Sequence, residues 1–154
     1  MPHDVLDIED ASEIIVSCMT EATTDIDILN DLGRQLPRFL MSVSDYSSHQ
    51  IVIQERPDIV LYRARIVDAF EDFELIRRLR ESLDYVPILV ILEYQDIDLI
   101  CEYLRSGVSA FCSQIDHHRH LGLHLAALSH LTKMSRILEI ENRHLKAQNT
   151  KGPL

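Results

Sequence analysis

From Glu13 onward the chain alternates short apolar runs rich in β-branched residues with longer stretches of helical period, and this alternation confines it to a parallel α/β fold. The runs are Ile14-Ile15-Val16-Ser17-Cys18, Phe39-Leu40-Met41-Ser42-Val43, Asp58-Ile59-Val60-Leu61-Tyr62, Pro87-Ile88-Leu89-Val90-Ile91 and Ser109-Ala110-Phe111-Cys112. A run that is apolar at nearly every position, such as 88–92, marks a strand covered on both faces, so helices must lie on both sides of the sheet. Helices are predicted over 25–36, 47–55, 70–83, 96–106 and from about 116 to about 148. The fourth is the best marked: Asp96 suits the N-cap, Ile97, Ile100, Cys101 and Leu104 share one face, and Gly107 suits the left-handed position beyond the last turn. With right-handed crossovers, the expectation is a doubly wound five-stranded sheet.

Composition bounds the rest. A chain of 154 residues that is 46% hydrophobic suits one domain with its own core. Residues 1–12 are polar, acidic and aperiodic and read as a flexible tail, 13–130 as the domain, and 131–154 as a helical extension. A net charge of −10 repels phosphate backbones, so direct nucleic-acid binding is not expected. Cys18, Cys101 and Cys112 show no C-x-x-C spacing and sit in apolar stretches, which fits free thiols in a reducing cytoplasm. No secretory leader is recognisable and no stretch approaches the roughly 20 apolar residues that span a bilayer, so no membrane association is expected.

Four stretches resemble the framework of response-regulator receiver domains: Pro57-Asp58-Ile59-Val60-Leu61-Tyr62, Asp72-Phe73-Glu74-Leu75-Ile76-Arg77-Arg78-Leu79-Arg80, Val86-Pro87-Ile88-Leu89-Val90-Ile91 and Ser106-Gly107-Val108-Ser109-Ala110-Phe111. The resemblance covers about residues 13 to 130 and is most specific in order and spacing from 57 to 115. It implies a flavodoxin-like sheet of order 2-1-3-4-5 whose chemistry lies at the carboxyl ends of the strands. By the same resemblance, receivers place a phosphoacceptor Asp at the end of strand three, an Mg²⁺-holding acidic pair after strand one, a Thr or Ser after strand four and a Lys after strand five. Here Arg63 falls at the acceptor position, Leu92 at the Thr/Ser position and Gln114 at the Lys position, while Cys18 and Met19 fall near the acidic pair. Without a carboxylate there is no nucleophile, and without the pair no hard cation offsets charge on the transferring phosphoryl oxygens. The resemblance therefore implies a degenerate member, a pseudo-receiver without cofactor or resident metal. Ile115 stands where the family usually has Pro, so a trans bond is expected there.

A guanidinium at a half-buried strand end needs a partner or water. Strands three and four are neighbours in the implied order, which makes Glu93 the expected partner of Arg63; the other reading has Arg63 reaching outward into solvent.

The last helix is longer than one sheet face requires. Leu131, Leu138 and Leu145 recur every seven residues, with Leu128, Ser135 and Asn142 as a companion seam three residues earlier. That spacing reads as a short coiled coil, and Asn142 at a core position favours a parallel homodimer. The competing reading is a solvated helix whose apolar side packs on its own domain.

Other constellations carry less. His120 and His124 lie one helical turn apart beside His117 and His118, but with no second pair at ligand spacing, so no metal site is expected. Arg65-Ile66-Val67-Asp68 matches an R-x-x-D pattern too short to count, and no phosphate-binding glycine loop or nucleophile elbow is present. The functional expectation is a non-enzymatic, phosphorylation-independent regulatory module of two-component type in the cytoplasm, which works by binding a protein partner or itself. One alternative is the N-terminal regulatory domain of a longer transcription activator or diguanylate cyclase. Another is a small-ligand receptor using the vacated crevice.

Overall fold

The computed structural model describes residues 13–65, 67–93, 96–113 and 118–150. The elements are β1 (Ile14–Met19), α1 (Thr23–Gln35), β2 (Phe39–Ser44), α2 (His49–Glu55), β3 (Ile59–Arg63), α3 (Ala69–Ser82), β4 (Ile88–Ile91), α4 (Ile97–Ser106), β5 (Ala110–Cys112) and α5 (His118–Thr150). The strands form one parallel sheet in the order β2-β1-β3-β4-β5.

Strand parity sorts the core into two layers. In β3, Ile59 and Leu61 face one side with Val16, Cys18, Leu89 and Ile91, where α1 adds Leu29 and Leu32 and α5 adds Leu121 and Leu125. Val60 and Tyr62 face the other side with Met19, Ile88 and Val90, beneath Val52 of α2, Ile76 and Leu79 of α3 and Tyr103 of α4. Because successive strand residues alternate faces, Arg63 at the end of β3 belongs to the same side as Ile59 and Leu61, the side that α1 covers.

The expected elements are all present, with ends that differ by one to a few residues. At α4, Asp96 accepts hydrogen bonds from the backbone N–H of Asp98 (3.0 Å) and Leu99 (3.3 Å), and Gly107 ends the helix at φ 120°. A Cβ at Gly107 would lie 3.0 Å from Cγ of Arg80. That arginine donates to the carbonyls of Gly107 (2.7 Å) and Val86 (2.7 Å), so one α3 side chain fastens the turns that lead into β4 and β5.

Helix α5 crosses the α1 side of the sheet and stays attached past residue 130, where the sequence reading ends the domain. Thr132 is fully buried and donates to the Asp58 carbonyl at 2.7 Å, and Arg136 reaches Asp58 Oδ1 at 3.2 Å. Asp58 Oδ2 in turn accepts from the Ile15 N–H at 2.9 Å, so this carboxylate ties β1 and β3 to α5. The packed part of the helix therefore includes its first turns beyond 130.

Candidate functional site

The carboxyl ends of β1, β3 and β4 meet in a crevice whose centre is Arg63. Its Nε donates to Asp25 Oδ2 at 2.7 Å and its Nη2 to Asp25 Oδ1 at 2.5 Å, a two-point contact matching the guanidinium fork to the carboxylate. Asp25 lies in the first turn of α1, where the helix N-terminus favours negative charge. It is 2% exposed and also accepts from Thr20 Oγ1 at 2.8 Å. Arg63 Nη1 donates to Glu93 Oε1 at 3.0 Å, but Glu93 is exposed. The hydrogen bonds to Asp25, more than those to Glu93, hold the Arg63 guanidinium still further above its usual range, against the opposing effect of burial. Tyr46 fixes the backbone here by donating to the Arg63 carbonyl at 2.7 Å.

A second polar cluster lies behind the crevice, between the sheet and helices α3 and α4. Asp72 is fully buried, and its two oxygens accept from the hydroxyls of Tyr62 and Tyr103 (2.7 Å for the latter), from Arg65 Nε at 2.7 Å and from the Arg65 N–H at 2.7 Å. Burial, reinforced by Asp72, pushes both tyrosine hydroxyls well above their ordinary range, so they stay protonated as donors. The Arg65 guanidinium sits 3.8 Å over the Tyr46 ring, so the R-x-x-D arginine is engaged within the domain. Tyr103 packs edge-on against Phe73 and Phe111, linking the cluster to β5. Among the described residues no buried side-chain nitrogen or oxygen lacks a hydrogen-bond partner.

No protein-family model matches the chain, and no curated protein matches it by sequence. Solved structures do match. The signal receiver domain of an HD domain-containing protein from Pseudomonas fluorescens Pf-5 is 16% identical with a TM-score of 0.69, covering 80% of this chain and 92% of that one. The receiver domain of a sensor histidine kinase from Pseudomonas aeruginosa PAO1, with a magnesium ion coordinated in its active-site cleft, is 14% identical with a TM-score of 0.62, covering 77% and 98%. A CheY-like protein, TadZ, from Pseudomonas aeruginosa PAO1 is 12% identical with a TM-score of 0.64, covering 76% and 94%. The fold is that of a receiver domain.

Within this receiver fold the sequence-derived positions fare unequally. Arg63 and Glu93 meet, but the stronger partner, Asp25, was missed, as was Thr20. Cys18 and Met19 are the last two residues of β1, 1% and 0% exposed, in opposite core layers. Burial raises the Cys18 thiol far above its usual range, so it packs as a small apolar group. Leu92 is buried in the Tyr62 layer. Gln114, Ile115 and His117 lie outside the described residues. His120 and His124 are both exposed, and among the described residues no group of three His, Cys, Asp or Glu side chains is placed to hold a metal. No helix among the described residues is long and apolar enough to cross a membrane.

The two rows expected of a seam on α5 differ in exposure. Leu128 is half-buried against the α1-side core and Ser135 is half-buried, so neither stands on the outward side with Leu131 and Leu138. The outward stripe is Ala127, Leu131, Met134, Leu138 and Leu145, at spacings of four, three, four and seven. Leu131 and Leu138 are each 55% exposed and Leu145 is 57% exposed. Asn142 is exposed but lies off this stripe's heptad positions. Of the companion row, Leu128 packs against the domain's own core.

Proposed function

We propose that this chain is a pseudo-receiver: a phosphorylation-independent regulatory module of two-component type that acts through protein contacts and carries out no catalysis itself. The observation that carries the reading is the Arg63–Asp25 pair. Arg63 stands where the resemblance puts the phosphoacceptor carboxylate, and its cation neutralises the carboxylate nearest to it, which is the task a metal ion performs in a phosphorylatable crevice. Thr20 and Glu93 complete the cluster, leaving the crevice internally paired at its centre. Leu92, Gln114, Cys18 and Met19 supply none of the chemistry that the resemblance assigns to their positions. The Arg63 guanidinium is already bonded to Asp25 and Glu93, which supports an internally paired crevice over the small-ligand alternative.

The working surface in this reading is the outward stripe of α5. Apolar side chains at heptad spacing on an exposed helix are stabilised by a second helix, and a parallel homodimer is the simplest such partner. The projecting end of α5 equally suits the alternative in which this domain regulates a longer transcription activator or diguanylate cyclase, because a helix that leaves the domain transmits its orientation. Light scattering over a concentration series tests the surface. The wild-type chain is expected at twice its monomer mass, and the double variant Leu131→Glu/Leu138→Glu is expected to be monomeric yet folded, with the stabilisation that association adds lost, since both side chains are more than half exposed. A monomeric wild-type chain across the series would refute the homodimer.

A further inference from the structure

An apolar groove of about 1130 Å³ runs between the lower half of α5 and the turn joining α1 to β2. Leu36 and Phe39 line it on one side, Leu123, Met134 and Ile137 of α5 on the other, and Ile14 is also a lining residue. Leu123 is 69% and Ile137 is 52% exposed, so the groove leaves contiguous apolar surface uncovered, which a folded domain tolerates only at cost. Basic side chains line its rim, Arg38 and Lys133 together with Arg136, which is paired with Asp58, on a chain whose net charge is −10. An occupant that suits both features is apolar and acidic.

We propose that residues 1–12 of this same chain dock in the groove as an acidic strap. The segment reads Met-Pro-His-Asp-Val-Leu-Asp-Ile-Glu-Asp-Ala-Ser, which interleaves Val5, Leu6 and Ile8 with Asp4, Asp7, Glu9 and Asp10 and contains no Lys or Arg. Its chemistry complements apolar walls under a basic rim. Connection favours it as well: Ile14, two residues after the segment, is itself a groove residue. The α5 wall from Gly122 to Ile137 is about 22 Å long at 1.5 Å per residue. A twelve-residue segment extends to at most about 40 Å, enough to follow that wall. Tethering at Ile14 gives the strap an effective concentration of order millimolar, so weak contacts suffice to keep it in place. A protein that uses this flank of α5 must then displace the strap, and an acidic, apolar peptide is the chemistry able to do so.

The test uses the full chain with methyl-labelled Val, Leu, Ile and Met in NMR. The proposal expects cross-relaxation between methyls of Val5, Leu6 or Ile8 and those of Leu123, Met134 or Ile137. It expects these signals to be lost, with shifts of the groove methyls, in Leu6→Asp/Ile8→Asp, and weakened in Lys133→Glu. Lys133 is only half-buried, so its replacement leaves the core intact. Absence of those cross-peaks in the wild-type chain, or groove methyls that the strap variant leaves unmoved, overturns the proposal. So do cross-peaks found only between copies in a mixture of differently labelled chains, which would assign the groove to a second copy's segment.

Discussion

Replacing Asp72 with alanine is expected to cost about 3 to 5 kcal/mol of folding stability, the range for removing one partner from a buried charged network. The carboxylate is fully buried and accepts from two tyrosine hydroxyls, one backbone N–H and one guanidinium. Without it the hydroxyls of Tyr62 and Tyr103 lose their acceptor in the interior, at about 1 to 3 kcal/mol for each buried group left unpaired. Arg65, near the surface, turns to water or to Glu71 and loses less. A domain of this size has about 5 to 15 kcal/mol in total, so the variant is expected to unfold at far lower urea concentration or fail to accumulate. Tyr103→Phe removes a single donor and is expected to cost only about 1 kcal/mol. Equal urea midpoints for Asp72→Ala and the wild-type chain would remove Asp72 from the account as an organising residue.

Arg63→Ala is the second large effect. It leaves Asp25, 2% exposed, with Thr20 Oγ1 as its remaining side-chain donor. The expected cost is about 3 kcal/mol, at the low end of the range for a stranded buried charge because Arg63 itself is partly accessible and water can follow. Glu93→Ala is expected to cost under about 1 kcal/mol, since that carboxylate is 57% exposed and its attraction is screened. Adding Asp25→Ala to Arg63→Ala is expected to recover part of the loss, because the stranded charge goes with it. Urea unfolding of the four chains decides the matter: a larger loss from Glu93→Ala than from Arg63→Ala would assign the crevice to the wrong pair.

The strand order was implied by the receiver resemblance, and the two-sided core was legible because runs apolar at every position, such as Ile88-Leu89-Val90-Ile91, mark strands covered on both faces. The partner of Arg63 was harder. Adjacency of β3 and β4 points to Glu93, while Asp25 comes from the helix lying over that face of the sheet and looks in the sequence like an ordinary first-turn acid. Parity held the missing clue: Ile59, Leu61 and Arg63 share a face, and α1 covers it. Asp72 offered a similar clue, being in helical phase with Ile76 and Leu79 on the buried side of α3. A carboxylate on an apolar helix face must find donors, and the tyrosines that supply them, Tyr62 and Tyr103, lie 10 and 31 residues away along the chain. On α5 the leucine repeat was visible, but only packing shows that Leu128 belongs to the domain's core.

A pseudo-receiver of the kind proposed does not accept a phosphoryl group in its crevice. The direct measurement is the intact mass of the full chain after incubation with a small acyl-phosphate donor and Mg²⁺, with a phosphorylatable receiver alongside as a positive control. An unmodified chain is expected under conditions that label the control. A phosphoryl adduct that needs Mg²⁺ and is released by hydroxylamine, as an aspartyl phosphate is, would contradict it.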